Sequence, residues 1–161
     1  MSERDSAVRR HDESSPDLVV TYCSGDKDPS PGLIAASDRY LSGRIRSVRE
    51  AARLVGADFR ILSGKFGLIT ATREIPDYDH VLTAAAVADH AAVVEHQLRA
   101  QPTRRVVFVV RAAAVDPGTV PYHQTMQLAC DRCGVTFSDL TIGERTPAPG
   151  ELAAAIITLP S

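Results

Sequence analysis

The sequence predicts an α/β fold: a single three-layer, Rossmann-like domain with a short, mostly parallel sheet of about four strands. Three observations predict it. Strand-like runs and segments of helical spacing alternate four times along the chain, the order expected of a parallel sheet covered by helices on both faces with right-handed crossovers. The strand-like runs are continuous and β-branched, as in Val106-Val107-Phe108-Val109-Val110, which is typical of buried strands. The chain has 161 residues, of which 44% are apolar, enough for one full hydrophobic core.

The elements follow in order. Residues 1–17 are charged and polar with no apolar stretch. They read as a disordered lead-in and not as a secretion signal, so the domain proper is expected over residues 18–161. Residues 18–22 form a first strand. Residues 25–32, with their prolines, glycines and aspartates, form a loop. Helical spacing then spans about residues 35–55 through Leu41, Ile45, Val48, Ala52 and Val55, and Gly56 is a natural stop. Residues 59–63 are a second strand, followed by a loop over residues 65–79 whose length suggests a function.

A second helix is expected over residues 83–100, with Thr83 as its cap and Val87, Ala91, Val94 and Leu98 on one face. Pro102 separates it from a third strand at residues 105–110, closed by Arg111. A turn at Asp116-Pro117-Gly118 leads to a helix over about residues 122–132. A fourth strand covers residues 135–142, and a short helix over residues 151–158 closes the chain.

Composition narrows the function classes. The net charge is −2 with 24% charged residues, so the chain is not a nucleic-acid coat. Local basic patches, Arg104-Arg105 or Arg44, Arg46 and Arg49, leave nucleic acid open as a partner. No apolar run reaches the roughly 20 residues of a membrane span, and three cysteines argue against a disulfide framework. A cytoplasmic protein with no membrane partner is expected; the sequence does not fix its oligomeric state.

The predicted topology brings four strand ends to one edge of the sheet: Cys23-Ser24, Ser63-Gly64-Lys65, Arg111 and Thr141-Ile142-Gly143. Open α/β sheets bind ligands at that edge. Cys23 is either an inert strand-end residue or a nucleophile whose thiolate Lys27, four positions on, would favour. His80 and His123 are the candidate proton partners. Residues 63–67 fail as a P-loop, because Phe59 and Phe66 stand where glycine and Ser/Thr are needed. They retain glycine N–H groups and Lys65 for an anion. Asp77-Tyr78-Asp79-His80 mixes groups suited to acid–base work or a ribose hydroxyl. Cys130 and Cys133 have no second ligand pair, so neither a metal nor a cofactor is expected.

Several segments together resemble one family. They are Cys23-Ser24-x-x-Lys27, Asp38-Arg39-Tyr40-Leu41, residues 61–69 (Ile-Leu-Ser-Gly-Lys-Phe-Gly-Leu-Ile) and Ile75-Pro76-x-Tyr78-Asp79-x-x-Leu82. The family is the domain of unknown function numbered six-eight-eight-four, labelled YaaA-like in places. Its usual segment reads Leu-Ser-Ala-Lys-His-Gly-Leu, where this chain has Gly64 and Phe66. The Cys-x3-Lys element is also similar to the catalytic module of archaeosine synthase, which implies a cysteine attacking a nitrile carbon of a 7-deazaguanine base. Only Cys23 and Lys27 carry over.

The expectation is therefore an enzyme acting on a nucleobase, nucleoside or nucleotide. Cys23, Lys27 and Asp79 are the catalytic candidates. Ser24, Asp38, Tyr40, Ser63, Gly64, Lys65, Tyr78 and Arg111 are the ligand-binding candidates. Two alternatives stand beside it: an N-glycosidase or deoxyribosyltransferase using a carboxylate such as Asp38 or Asp79, and a non-catalytic nucleotide- or nucleic-acid-binding protein in stress response or phage defence.

Overall fold

A computed structural model of the protein describes residues 16–160; most of the expected lead-in lies outside them. Asp17, placed by the sequence in that lead-in, is anchored to the domain. Its carboxylate accepts the N–H groups of Arg104 at 2.6 Å and Arg105 at 3.2 Å.

The fold is α/β with a mostly parallel central sheet between two helical layers, as the alternation predicts. Strand β1 (Leu18–Tyr22) is the middle strand. It pairs in parallel with β3 (Asp58–Ser63) on one side and β6 (Arg105–Arg111) on the other. Strand β7 (Thr136–Ile142) extends the sheet in parallel beyond β6, and β4 (Gly67–Ile69) closes the opposite side antiparallel to β3. The order is β4-β3-β1-β6-β7. The period of two sorts the side chains of β6. Val106, Phe108 and Val110 join one core cluster, and Val107 and Val109 join the other.

Helix α1 (Ala36–Arg39) is a single turn, and α2 (Gly43–Val55) covers one face together with α5 (Pro149–Thr158). Helices α3 (Val87–Arg99) and α4 (Val120–Cys133) pack together on the other face. The crossover leaving β1 and the one leaving β6 depart to opposite sides, so the β1–β6 gap is the point where a crevice opens at the carboxyl edge.

Three expectations need correction. The helix expected from residue 35 to 55 is broken at Tyr40, which bridges to Lys27, and restarts at Ser42, whose hydroxyl accepts the Ile45 N–H at 3.3 Å. Serine before a helix start is the signal that marks this break. Leu41, assigned to the apolar face, is exposed. Thr83 makes no side-chain cap; a short 3-10 turn, Ala84–Ala86, leads into α3 instead. The loop over residues 65–79 holds two strands, β4 and β5 (Glu74–Ile75), and β5 pairs with β2 (Ile34–Ala35). The sheet thus has five strands where about four were expected, because a three-residue return strand shows no periodicity. The stop at Gly56 holds: it adopts φ +74° as the left-handed cap of α2.

A candidate active site at the carboxyl edge of β1

Cys23 continues β1 by one residue, its N–H donating to the Leu62 carbonyl at 2.9 Å. The residue is 9% exposed. Its thiol donates to the hydroxyl of Tyr122, 3.6 Å away on the first turn of α4. That hydroxyl also receives the Leu82 N–H, which leaves its own proton to give. Gly64 makes room for it: a Cβ there would stand 2.8 Å from the Tyr122 oxygen.

A second hydroxyl group of residues lies beside the thiol. The Tyr40 and Tyr78 hydroxyls share a hydrogen bond, and Tyr78 shares another with Ser63 Oγ at 2.9 Å. Ser63 Oγ in turn accepts the N–H groups of Lys65 and Phe66, each at 3.1 Å. His90 Nε2 meets the Ser63 carbonyl at 2.8 Å. Burial, with negative charge on Cys23 as the next cause, raises the ionisation of Tyr40, Tyr78 and Tyr122 above the ordinary phenol range. All three are therefore neutral O–H groups at physiological pH, suited to donating toward developing negative charge.

The lysines take other places. The Lys27 ammonium lies over the Tyr78 ring, 4.6 Å from its centroid, and Lys65 lies 5.6 Å from the same centroid. Arg73 sits over Phe66 at 5.0 Å. These are cation–π contacts, and they make Tyr78 the meeting point of the two lysines.

The other wall opens on a cleft of about 340 Å³ lined by Tyr22, Cys23, Ser24, Gly25, Arg44, Arg111, Asp116 and Thr146, among others. Arg44 is buried beneath it. Its Nη1 donates to Thr21 Oγ1 at 2.6 Å and to the Tyr22 carbonyl at 2.7 Å, and its Nη2 donates to the Cys23 carbonyl at 3.2 Å. The guanidinium stacks 3.6 Å from the Tyr22 ring centroid. Burial lowers its ionisation to about 10, so it remains a cation at neutral pH. The Tyr22 hydroxyl donates to Asp116 Oδ2 at 3.2 Å.

Of the residues singled out from the sequence, the structure brings Cys23, Tyr40, Ser63, Gly64 and Tyr78 into one cluster. Ser24 and Arg111 lie on the adjoining cleft. Ser63 and Gly64 do not present themselves to an anion, as expected of them; Ser63 Oγ is taken by its own turn, and Gly64 is packed against Tyr122 and Leu82. Lys27 makes its contact with the Tyr78 ring instead of the thiol. Asp38 and Asp79 are exposed and make no contact with Cys23 among the described residues. His123 bonds Asp139 at 2.9 Å between α4 and β7, away from the thiol. Of the two basic patches, Arg44 and Arg105 are buried, which leaves Arg46, Arg49 and Arg104 exposed. Cys130 is a core residue whose thiol burial pushes up to about 12.

Sequence reading missed Tyr122, Arg44, Asp116, His90 and Arg39. A tyrosine one turn into a helix and arginines in apolar-spaced helices carry no local mark of burial. Arg39, fully buried, donates to the carbonyls of Asp28, Ser30, Gly32 and Ile75. It thereby fixes the loop between β1 and β2 that carries Lys27.

Among the described residues no helix is long and apolar enough to cross a membrane. In comparison with known proteins, no family model, no curated protein and no solved structure matches the chain.

Proposed function

We propose that the protein is an enzyme in which Cys23 adds to an electrophilic carbon of a nucleobase, nucleoside or nucleotide. One observation carries the reading: a thiol at the switch point of the sheet, on the wall of a cleft, hydrogen-bonded to a buried neutral phenol. The step balances without an outside base. The sulfur bonds to the carbon of a C=N or C≡N group, and the π electron pair moves onto nitrogen. The thiol proton passes to the Tyr122 oxygen as the Tyr122 proton passes to that nitrogen. Tyr78, linked to Tyr40 and Ser63, supplies a second donor toward the same charge. Phe66, standing where the resembling family has histidine, is no obstacle to such a relay.

The test is incubation with a panel of nucleotides and 7-deazaguanines, followed by intact-protein mass spectrometry. An adduct equal to the whole mass of one panel member, mapped to Cys23 and absent from Cys23→Ala, is the expected result. Turnover that survives in a folded Cys23→Ala protein overturns the nucleophile.

A second reading is favoured by Asp116, a carboxylate on the same cleft. It is N-glycosidic cleavage or deoxyribosyl transfer with Asp116 as the attacking group. It differs in predicting activity that survives thiol alkylation and vanishes in Asp116→Asn.

A further inference from the structure

The cleft beside Cys23 is lined by two arginines, Arg44 and Arg111, and two carboxylates, Asp26 and Asp116. Every hydrogen bond made by Arg44 goes to a carbonyl or a hydroxyl, and so does every one made by Arg111, to the Gly143 and Glu144 carbonyls and to Thr146 Oγ1. Neither guanidinium pairs with a carboxylate among the described residues. Each still has its Nε–H and one Nη2 N–H without an acceptor among the described residues. Arg44 is 5% exposed, and a buried cation held only by neutral oxygens is costly unless an anion completes it. Of the two carboxylates, Asp116 accepts the Tyr22 hydroxyl, and neither it nor Asp26 forms an ion pair with a guanidinium among the described residues.

The backbone around the same space is open. Helix α2 begins at the cleft, and the Gly43 and Arg44 N–H groups at its first turn have no acceptor among the described residues. A Cβ on Gly25 or Gly43 would meet nothing within 4 Å, so a ligand can approach both stretches of main chain. The side-chain hydroxyls of Ser24, Ser42 and Thr146 line the rim. Two forked cations, free N–H groups and hydroxyls around one small space suit a tetrahedral oxyanion better than a planar base.

From this arrangement we infer that the cleft receives the phosphate of the substrate, with Arg44 and Arg111 as its receptors, and that the molecule presented to Cys23 is a nucleoside monophosphate. The inference builds on the Cys23 reading but places a distinct demand on the protein. The phosphate must bind whether or not the thiol reacts. Because Cys23, Arg44 and Arg111 line one cleft, the base is left to reach Cys23 while the phosphate stays on the arginines.

Binding is measured by calorimetry on the Cys23→Ala protein, with inorganic phosphate, guanosine and guanosine 5′-monophosphate as probes. Saturable phosphate binding, and monophosphate binding at least about tenfold tighter than nucleoside, are expected from charge-assisted recognition. Gly25→Asp and Gly25→Asn differ only in charge at an open position. The aspartate variant should lose the phosphate preference, and the asparagine variant should keep it. Arg111→Gln should weaken monophosphate binding by a similar factor, with Arg111→Lys retaining part of it. Equal binding of nucleoside and monophosphate, or a Gly25→Asp protein that binds phosphate like Gly25→Asn, overturns the inference. Phosphate binding in Cys23→Ala together with an absent adduct in the wild type upholds the receptor and sinks the nucleophile, so the two failures are separable.

Discussion

Gly64 and Tyr122 interlock beneath the thiol: the space a Cβ on residue 64 would need is held by the Tyr122 hydroxyl, 2.8 Å from where that carbon would stand. Gly64→Ala therefore moves the phenol that the thiol touches. The neighbouring Leu82 backbone, 3.3 Å from the same point, limits how the clash can be relieved. A destabilisation of about 1–3 kcal/mol is expected for such overpacking, read from chemical denaturation. Alkylation of Cys23 by iodoacetamide should slow several-fold, and unchanged kinetics would show that the phenol does not govern the thiol.

Tyr122→Phe removes the same hydroxyl without adding volume. The thiolate loses a donor, so Cys23 alkylation at neutral pH should slow as it does in Gly64→Ala. If both act through one hydrogen bond, Gly64→Ala in the Tyr122→Phe background adds little further loss of reactivity. Additive effects in that double-mutant cycle would contradict the shared cause.

Arg39 predicts a different kind of failure. Its guanidinium is the common donor to the Asp28, Ser30 and Gly32 carbonyls of the loop after β1 and to the Ile75 carbonyl of β5, and removing it leaves one buried and three part-buried bonds unmade. Arg39→Met should cost about 3 kcal/mol. Limited proteolysis should then cut first within residues 24–34. A melting curve matching the wild type would show that water replaces the side chain without loss.

His90 makes stability depend on pH. Burial is the main cause that lowers its ionisation below the ordinary value of 6.5, with the Ser63 carbonyl opposing. The unfolded chain thus takes up a proton that the folded one resists. The stabilisation is complete above about 6.5 and is lost as pH falls from there toward the depressed folded value. His90→Gln, which can still donate to the Ser63 carbonyl, should flatten that part of the stability–pH curve. A slope that persists in the variant would assign it to another group.

The architecture was legible because β-branched runs, helical spacing and stop residues such as Gly56 report local physics. The shared edge was legible for the same reason: parallel connectivity sends the carboxyl ends of β1, β3, β6 and β7 to one side of the sheet. What escaped was set by tertiary contact. Nothing local distinguishes Tyr122 from any tyrosine on a helix, or Arg44 from the exposed Arg46 and Arg49 beside it. Strand β4 was missed because its pairing with β3 depends on the Gly64–Phe66 turn and not on periodicity. The anion role given to Ser63 shows the converse error. Its residue type suits a phosphate, but Ser63 Oγ is spent on closing that turn.

β1 is the middle strand of the sheet, and Cys23 is its direct continuation. The residues around the thiol and its cleft come from separate stretches: Tyr40 after α1, Tyr78 and Leu82 before α3, Tyr122 on α4, Arg111 at the end of β6 and Asp116 beyond it. The position of the thiol and the make-up of its surroundings are therefore set by separate parts of the chain. Altering residues 24–34 or 76–83 would reshape what the thiol meets while leaving its position on the sheet unchanged. Sequence change confined to those two segments would leave intact the sheet on which Cys23 is mounted.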